Sequence, residues 1–549
     1  MDATEVLVVG AGPAGLTMAN VLASQSVGFR IIDKKAGPVE ESRALVVHAK
    51  TLELLDRLEL AERAVEEGQR MGAVALFSEG KPAGRITFLD DGADDRTPYP
   101  FALVLEQDKT ERILIEGLEA TVEWDTELLS LSTTPDGVRA TVRRPDGSTE
   151  SIEAGWVVGA DGASSPIRHS LGLGFEGDTY EQTLFLADVE MEWGYGSRQV
   201  SIDLTRGGFF GFFPMPDERR FRLIGSVPEE LEGKNRITAG DVQGVLDRRS
   251  GLKTRITDVR WTSVYRTHRR MTERFRVGRV FLVGDAAHIH SPAGGQGMNT
   301  GIGDAYNLGW KLALVAKGLA HVSLLDSYEA ERIAFARSIL GGTDRGFSLQ
   351  VTTDTAAQRF KILFTPLLFR ISSALPPIRE RIFWLISQLW TNYRESPAVA
   401  ESGPVRKRPH AGDRAPYGFF ETSPDDGESI FELLRGPKHH LLFFEGRKPD
   451  GAPPEVGRTE EDLRALLGSY GARISLHTVH AGNRSLHERY GAHSPSLFLV
   501  RPDGHVAYRG PATDLARLEA YLDRLFPKTA AEELAVTRSS TPVGKETEQ

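Results

Sequence analysis

The residues with the clearest chemical potential lie near the middle of the chain, between positions 277 and 313. Residues 280–283 form a β-branched and aromatic run that predicts a buried strand, and Asp285 stands just past its carboxyl end. Ligands bind beyond the carboxyl ends of strands in open α/β sheets. A loop at 290–297 then leads into a helix predicted to begin near Asn299, where exposed amide groups suit a phosphate or an electron-rich ring edge. This segment therefore predicts a ligand site built by a strand, a loop and a helix.

A second candidate site lies at the N-terminus, in a predicted strand, glycine loop, helix and second strand. The loop follows a strand at 5–9, and Asp33 ends the next strand about 20 residues further on. In this arrangement the glycines allow a tight turn, close approach of a pyrophosphate and helix–strand packing, while the acid binds a ribose hydroxyl. The pattern predicts dinucleotide binding but does not separate FAD from NAD. The residues assigned to this site are Gly10, Gly12, Pro13, Ala14, Gly15, Asp33 and Lys34.

A third turn of this kind, with the sequence GADG at 159–162, follows a predicted strand at 156–158. This turn, the N-terminal glycine loop and the segment GDAAH followed by PAGGQGMN resemble the three cofactor motifs of the class A flavoprotein monooxygenases, the aromatic hydroxylases. The pattern Y-E-x-E-R at 328–332 is also typical of that family. The resemblance covers essentially the whole chain.

The resemblance implies a role for each motif. In the family the aspartate of GDAAH holds the ribityl chain of FAD, which implies that role for Asp285 beside Gly284. It also implies that Arg43 lies near the FAD phosphates, Gln107 at the flavin side chain and Asp161 near the pyrophosphate. Since the sequence has no second glycine fingerprint, NADPH or NADH is expected to visit transiently. The residues expected around the isoalloxazine ring are Pro292, Gly295, Gly297, Met298 and Asn299.

The substrate is expected to lie against a mostly antiparallel sheet, predicted from alternating strands at 180–270. In the family this sheet forms the floor and lid of the substrate pocket. Its most aromatic strand, GFFGFFPMP, offers an apolar wall to a flat ring, although alternation places about half of its phenylalanines in ordinary core. Two interpretations of Arg222 are open: it contacts an anionic substrate group, or it lies at the surface. For His48, a position facing the pocket and a structural or surface role are both open. The expected substrate contacts are Phe209, Phe212, Arg222 and Pro292.

The chain has 549 residues, too many for a single core, and the predicted fold class is α/β (α+β). Alternating strands and helices near the C-terminus resemble the thioredoxin-like domain of a subset of these hydroxylases. The expected domains are a Rossmann-like FAD-binding domain at 1–178 and 271–345, the inserted antiparallel substrate sheet at 179–270, a helical segment at 346–400, the thioredoxin-like domain at 405–527 and a disordered tail at 528–549.

Composition excludes several classes of function. The absence of cysteine removes disulfides, thiolate metal ligands and thiol redox chemistry, and it fits a reducing cytoplasm. A net charge of −10 with no basic stripe argues against nucleic acid as a partner. Apolar runs stay shorter than the ~18–20 residues of a membrane span, so no membrane contact is expected. No metal site is predicted, and the C-terminal domain is expected to have a structural role or to contact a second copy in a homodimer.

The resemblance implies an FAD-dependent, NAD(P)H-consuming monooxygenase. It would use O2 to hydroxylate a small phenolic or polycyclic, polyketide-like aromatic through a C4a-hydroperoxyflavin. Because the flavin carries the oxygen chemistry, no side chain is assigned as a catalytic acid or base. Baeyer–Villiger insertion or epoxidation on the same fold remains open. A flavoprotein that binds an aromatic compound without converting it is the alternative from another class.

Overall fold

The computed structural model describes residues 2–39, 44–88, 96–206, 208–217, 219–227, 234, 237–290, 293–351, 355–403, 409–420, 428–447 and 459–528. Arg43, Pro292 and the tail from 529 onward lie outside these described residues. The chain divides into two compact units. The first comprises Met1–Ala316 and Tyr328–Thr391, and the second comprises Lys317–Ser327 and Asn392–Gln549.

The twenty-three strands of the described residues are numbered in chain order. They are β1 Asp2–Val9, β2 Phe29–Ile32, β3 Val46–Val47, β4 Gln69–Met71, β5 Ala73–Ser78, β6 Lys81–Thr87, β7 Ala102–Val104, β8 Glu127–Thr133, β9 Val138–Arg143, β10 Thr149–Gly159, β11 Glu176–Glu192, β12 Gln199–Thr205, β13 Gly208–Pro214, β14 Arg220–Ser226, β15 Arg255–Met271, β16 Arg276–Val277, β17 Val280–Leu282, β18 His288–Ile289, β19 Ala400–Glu401, β20 His439–Phe444, β21 Ile474–Val479, β22 Ser496–Val500 and β23 Val506–Pro511.

The α-helices are numbered in the same way. They are α1 Pro13–Ser24, α2 Ala49–Asp56, α3 Ala61–Glu67, α4 Gln107–Glu116, α5 Pro166–Ser170, α6 Ala239–Arg249, α7 Gln296–Ala316, α8 Asp326–Val351, α9 Thr355–Ala374, α10 Pro376–Ile386, α11 Ile430–Leu433, α12 Thr459–Gly468, α13 Arg484–Tyr490 and α14 Leu515–Leu525. Among the described residues, no helix combines the length and apolar character that crossing a bilayer requires.

The first sheet brings the predicted motifs to one edge. Its strand order is β16-β17-β10-β1-β2, and β1 runs parallel to both β2 and β10. Val9 pairs with Ile32 and with Gly159, and Gly159 pairs with Leu282, so four parallel strands end at the same level. The strands are apolar runs because helices and other elements cover them, as parallel sheets require. The three turns that carry the motifs therefore meet at the carboxyl edge of this sheet.

Helices α1 and α7 pack closely because small residues face each other. A Cβ atom on Gly309 would lie 2.6 Å from Val21 Cγ1, and one on Gly301 would lie 3.4 Å from Ala14 Cβ. Pro13 suits the first position of α1, where no helical N–H bond is needed. α7 begins at Gln296, three residues before the predicted start at Asn299, because the glycine loop winds directly into the helix. Both helices thus begin beside the sheet edge that carries the motifs.

The second sheet of the first unit has eight strands in the order β18-β15-β11-β14-β13-β12-β5-β6. Strands β5 and β6, from residues before the predicted boundary at 179, extend this sheet beyond the predicted substrate domain. One face packs on α6 through Val242, Val245 and Leu246. A separate sheet of three strands, β3-β7-β4, joins the residues before α2 to those before β5.

The second unit holds a five-stranded mixed sheet in the order β19-β23-β22-β20-β21. β20 runs parallel to β21 and antiparallel to β22. Its core includes Leu442, Phe444 and Phe498. The turn between β22 and β23 buries Arg501 against Asp503, and His505 Nδ1 lies 3.2 Å from the same carboxylate. The mixture of parallel and antiparallel sheets with helices confirms the predicted α/β (α+β) class.

Candidate functional site

The N-terminal glycine loop lies between β1 and α1 and is shaped by close backbone contacts. Gly10 has φ +106°, and a Cβ atom there would lie 2.3 Å from the Ala160 carbonyl oxygen. A Cβ atom on Gly15 would lie 1.8 Å from the carbonyl oxygen of Gly10. A Cβ atom on Gly12, in contrast, would meet no atom within 4 Å. Two glycines are therefore required by packing, and Gly12 leaves an open surface that a phosphate can approach.

The acid at the end of β2 is oriented by the same loop. Asp33 Oδ2 accepts a hydrogen bond of 2.7 Å from Ala11 N, and Oδ1 accepts one of 2.9 Å from Lys35 N. Asp33 is nearly buried, while Lys34 is exposed. The carboxylate thus lies beside the glycine loop, as the dinucleotide prediction requires. Lys34 is solvent-exposed, and its predicted cofactor contact stays a prediction.

The turn at 284–287 is fixed by a buried carboxylate that the sequence analysis missed. Asp304 Oδ2 accepts a hydrogen bond of 3.0 Å from Gly284 N and lies 2.6 Å from His288 Nε2. Its other oxygen accepts one of 2.6 Å from Arg332 Nε. Burial alone would raise the pKa of Asp304, but Arg332 and His288 lower it to about 2. The sequence contained two signals for this cluster: an aspartate inside the apolar pattern of α7, and the arginine of the Y-E-x-E-R pattern.

Asp285 follows Gly284 in this turn. Its side chain is accessible to solvent, yet the surrounding protein raises its pKa, chiefly by burial and against the influence of His288. An accessible but poorly hydrated carboxylate lies in a recess, not on a convex surface. Such a carboxylate gains most when hydroxyl groups donate hydrogen bonds to it. Asp285 is therefore suited to bind a polyhydroxylated chain.

The third motif is tied to this turn by Arg168, which the predicted site did not include. Arg168 NH1 donates to the carbonyl oxygen of Ala286 at 2.9 Å, and NH2 donates to that of Ala163 at 2.9 Å. Asp161 Oδ2 accepts a hydrogen bond of 3.1 Å from Ile167 N at the start of α5. Its Oδ1 is buried without a hydrogen-bond partner among the described residues, and burial raises its pKa. The orphaned oxygen is the kind of atom that a bound ligand satisfies.

Asn299 holds the glycine loop at 293–295 in place instead of reaching into the site. Its Oδ1 accepts from His48 N at 2.9 Å and from Thr51 Oγ1 at 2.7 Å. Its Nδ2 donates to the carbonyl oxygens of Val46 at 2.8 Å and Gly295 at 2.7 Å. These bonds use the full capacity of the amide. The side chain of Asn299 is therefore a support for the loop, which leaves only its backbone for the predicted ring contact.

The side chain of His48 also holds this loop in place, through a hydrogen bond. Its Nε2 lies 2.8 Å from the carbonyl oxygen of Gly294, so Nε2 carries the proton and donates. Burial lowers the pKa of His48 to about 4, against the effect of that hydrogen bond, and Nδ1 has no partner among the described residues. Gly297 and Met298 are half-buried, and a Cβ atom on Gly297 would meet no atom within 4 Å. The start of α7 therefore presents open backbone to a ligand.

Gln107 opens α4 next to the residues that follow the undescribed segment 40–43. Its backbone N donates to Ala44 O at 3.2 Å, and its Nε2 donates to Glu111 Oε1 at 2.8 Å. The side chain is half-buried. The structure therefore places Gln107 beside Ala44, while Arg43 and Pro292 lie outside the described residues.

The aromatic strand β13 divides its phenylalanines between the two faces of its sheet. Phe210 and Phe212 are buried in the core shared with α6. Phe209 and Phe213 lie on the opposite face, where Phe209 packs near Phe369. Side chains alternate along a strand, so Phe209 and Phe212 do not line one pocket as predicted. Phe212 is fully buried core, and Phe213 takes its place as the accessible aromatic of the other face.

Arg222 is neither a surface residue nor free to bind an anion. It is buried, and its guanidinium donates to both oxygens of Asp188, at 2.6 Å from Nε and 2.8 Å from NH2. The charge is neutralised by this bidentate pair across β11 and β14. Arg222 thus stabilises the sheet, and its predicted role toward an anionic substrate group is not supported.

Taken together, the residues at the sheet edge fit an elongated dinucleotide cofactor with a second aromatic ring system. Open backbone at Gly12 suits a pyrophosphate, Asp33 a ribose, the recessed Asp285 a polyol chain, and the start of α7 a ring edge. The buried orphan atoms on Asp161 and His48 supply acceptors for a ligand. These are the parts of FAD, in which the pyrophosphate joins the ribose to the polyol chain and that chain carries the ring.

Comparison with known proteins agrees with this reading. The FAD binding domain family matches residues 3–343, and the family described as aromatic-ring hydroxylase, C-terminal, matches 408–529. The 6-methylpretetramide 4-monooxygenase of Streptomyces rimosus is 34% identical over 95% of this chain and 94% of its own length. The pentachlorophenol 4-monooxygenase of Sphingobium chlorophenolicum is 32% identical over 82% of this chain and 81% of its own.

Among solved structures, the anhydrotetracycline hydroxylase of Streptomyces rimosus superimposes with a TM-score of 0.73 at 28% identity, covering 96% of this chain and all (100%) of that one. The match of the FAD-binding family to more than half of the chain confirms the predicted cofactor, and the relatives confirm the predicted reaction class. The chain belongs to the FAD-dependent aromatic-ring monooxygenases.

Proposed function

We propose that this monooxygenase hydroxylates a phenolic ring of a polycyclic, polyketide-like aromatic compound. The observation that carries this proposal is the face of the eight-stranded sheet on the side away from α6, where apolar side chains surround one ion pair. Ile202, Phe213 and Ile224 are half-buried there, and the cross-strand row of Phe213 continues through the mutually neutralised Arg222 and Asp188 to Trp261. A broad sheet face of this kind, with no free charge in that row, favours a fused ring system over a single ring.

The names of the relatives support the same substrate class. One relative is named for 6-methylpretetramide and another for anhydrotetracycline, although a third is named for pentachlorophenol. A simple phenol is therefore the closest competing substrate. Baeyer–Villiger insertion, epoxidation and binding without turnover are the other outcomes that the experiment below separates.

For the cofactor we propose the following contacts. The Gly10–Gly15 loop and the start of α1, with Pro13 and Ala14, would hold the pyrophosphate, and Asp33 the adenosine ribose. Asp285, presented by Gly284, would bind the ribityl chain. Asp161, Gln107 and Arg43 would complete the diphosphate and side-chain contacts. The residues proposed to face the isoalloxazine ring are Pro292, Gly295, Gly297, Met298 and Asn299, the last through its backbone.

The protein's contribution to the reaction follows from these positions. Bound FAD, reduced by NADPH or NADH, supplies the activation of O2 and the transferred oxygen atom. The buried Asp304–Arg332–His288 cluster keeps the turn at 284–287 rigid, and Asn299 and His48 hold the glycine loop in one conformation. The sheet face around Phe213 orients the substrate ring. The role assigned to this chain is therefore to position the cofactor and the substrate, and no side chain is assigned as an acid or a base.

The test is turnover by the FAD-loaded protein with O2 and NADPH. Fused-ring phenols, single-ring phenols, cyclic ketones and olefins form the substrate panel. The expected result is faster NADPH consumption with a fused-ring phenol and a product that has gained one hydroxyl oxygen from isotopically labelled O2. A lactone, ester or epoxide product would assign the other chemistries. Tight binding of the phenol without NADPH consumption would assign a non-catalytic flavoprotein.

We also propose that a second copy of the chain covers α9 and α10. Leu363, Leu367, Leu368 and Leu385 are 54–69% exposed on these helices, an apolar patch of the kind found at interaction sites. Arg379 and Glu380 beside them carry both signs of charge, which suits self-association better than an anionic membrane surface. Sedimentation should show a dimer that Leu368→Glu converts to monomer, while Leu129→Glu, at a residue 41% exposed on β8, leaves it intact. A monomeric wild-type protein would contradict this.

A further inference from the structure

A cavity with both polar and apolar lining lies at one end of the eight-stranded sheet, apart from the dinucleotide loop. It has a volume of about 560 Å³ and is formed where β4, the end of β6 and the turn before β12 meet. Ala73 pairs with Thr87 on one side and with Gln199 on the other, so these strands present their ends side by side. The guanidinium-bearing residues Arg70, Arg85 and Arg198 line it. The volume lies within the range of about 300–1,000 Å³ of small-molecule sites.

The three arginines differ in their pairing from Arg206 and Arg260 of the eight-stranded sheet. No carboxylate among the described residues forms an ion pair with Arg70, Arg85 or Arg198. In contrast, Arg206 lies 2.9 Å from Glu79, and Arg260 lies 2.5 Å from Glu190. Arg70 is instead held over the ring of Phe101, 5.1 Å from its centre. In a chain with a net charge of −10, three arginines in one cavity, none of them ion-paired to a carboxylate that the structure describes, favour an anionic ligand.

The cavity lies close to the glycine loop at the start of α7. Val46 and Gln69 both pair with Val104, one on each side of β7, so two strand spacings of about 4.8 Å separate them by about 10 Å. Gln69 lines the cavity, and a Cβ atom on Gly295 would lie 3.0 Å from Val46 Cβ. An extended dinucleotide with phosphates in the cavity can therefore reach the proposed flavin ring with its other end.

We propose that Arg70, Arg85 and Arg198 bind the adenosine 2′-phosphate of NADPH, and that this cavity selects NADPH over NADH. The inference rests on the proposed function in taking NAD(P)H as the reductant. Guanidinium groups bind phosphate oxygens in bidentate fashion, and a phosphate monoester carries close to two negative charges that three arginines can balance. The sequence offers no second glycine fingerprint for this ligand, so side chains must supply the recognition.

The first experiment measures binding without turnover. Isothermal titration of the FAD-loaded protein uses adenosine 2′,5′-bisphosphate, adenosine 5′-monophosphate and inorganic phosphate as probes. The bisphosphate is expected to bind most tightly, and Arg85→Ala and Arg198→Ala are each expected to weaken it about tenfold, as the loss of one charged hydrogen bond predicts. Both arginines are exposed, so the fold survives their removal. Lys81→Ala removes an equally exposed positive charge from β6 outside the cavity and is expected to change nothing.

Steady-state kinetics give the second readout. The two arginine substitutions should raise the KM for NADPH about tenfold with little change in kcat, and leave the KM for NADH unchanged. Bisphosphate binding that is no tighter than that of inorganic phosphate would overturn the assignment and leave a site for free phosphate. An unchanged KM for NADPH in the double variant would also overturn it. If no aromatic compound is converted while the arginine variants still lose bisphosphate binding, the cavity assignment stands and the proposed function fails.

Discussion

Asp304 shows how one buried residue can organise a site that it does not reach. Burial disfavours its charge, but Arg332 and His288 outweigh that effect and lower its pKa to about 2. The amide of Gly284 donates to the same carboxylate, so the charge cluster is bonded directly to the turn that bears Asp285. Removing one partner of a buried ion pair costs about 3–5 kcal/mol, because the other charge is left unpaired. The main effect of the cluster is therefore to hold the turn in one conformation, and its contribution to net stability is smaller.

His48 leads to a prediction about acid stability. Burial lowers its pKa to about 4, whereas the unfolded chain protonates histidine near pH 6.5. Between these values the unfolded state binds the extra proton, so stability is complete above about pH 6.5 and falls as the pH drops toward 4. In His48→Gln, the amide can still donate to Gly294 but does not titrate. The loss of unfolding free energy between pH 7 and pH 4 should shrink by up to about 3 kcal/mol.

Urea unfolding at the two pH values measures this difference for the wild type and the variant. His321→Gln is the control, because that residue lies outside the glycine-loop contacts. Equal acid losses in the wild type and His48→Gln would show that His48 is protonated in the folded protein as readily as in the unfolded chain.

At the scale of elements, side chains alternate between the two faces of β13, so different phenylalanines contribute to stability and to substrate binding. Phe212 is fully buried against the α6 core, so Phe212→Ala should cost about 3–5 kcal/mol of unfolding free energy. Phe213 is half-buried on the opposite face, so Phe213→Ala should cost less stability and raise the KM for the aromatic substrate. Chemical denaturation and substrate kinetics on the same two variants check both effects. A larger KM change in Phe212→Ala than in Phe213→Ala would reverse the assignment of the two faces.

The packing of α1 on α7 gives a second prediction at this scale. A Cβ atom on Gly309 would lie 2.6 Å from Val21 Cγ1, so Gly309→Ala should destabilise the first unit by about 1–3 kcal/mol through overpacking. A Cβ atom on Gly341 in α8 would meet nothing within 4 Å, and Gly341→Ala should stabilise by up to about 1 kcal/mol through helix propensity. Thermal unfolding compares the two variants. Destabilisation by both changes would mean that helix propensity does not set the sign at Gly341.

At the scale of the whole molecule, every residue proposed to bind FAD belongs to the first unit. A ligand stabilises only the part that binds it, by about 2.7 kcal/mol at a free concentration of 100 Kd. Calorimetry with increasing FAD should therefore raise the transition of the first unit. Asp503→Asn, which leaves the buried Arg501 without its full counter-charge, should lower the transition of the second unit without changing FAD affinity. A single transition that moves equally under both changes would contradict independent unfolding of the two units.

The sequence alone was sufficient for the family, the cofactor and the position of each motif. This was possible because FAD binding imposes local rules: glycines where a Cβ atom would collide with neighbouring backbone, as at Gly10 and Gly15, and an acid at a strand end, as at Asp33. Such requirements are met by residues close together along the chain.

Only the tertiary structure decided the roles that depend on contacts between distant segments. Asp304 meets His288 and Arg332 across 16 and 28 residues, and Asn299 meets His48 across 251. The face on which Phe212 lies and the partner of Arg222 depend on strand register, which a hydrophobic pattern does not specify when both faces are apolar. The cavity of Arg70, Arg85 and Arg198 likewise exists only because strand β4, the end of β6 and the turn before β12 lie together. Local geometry is determined by residues that are neighbours along the chain, whereas burial and charge balance are properties of the packed chain.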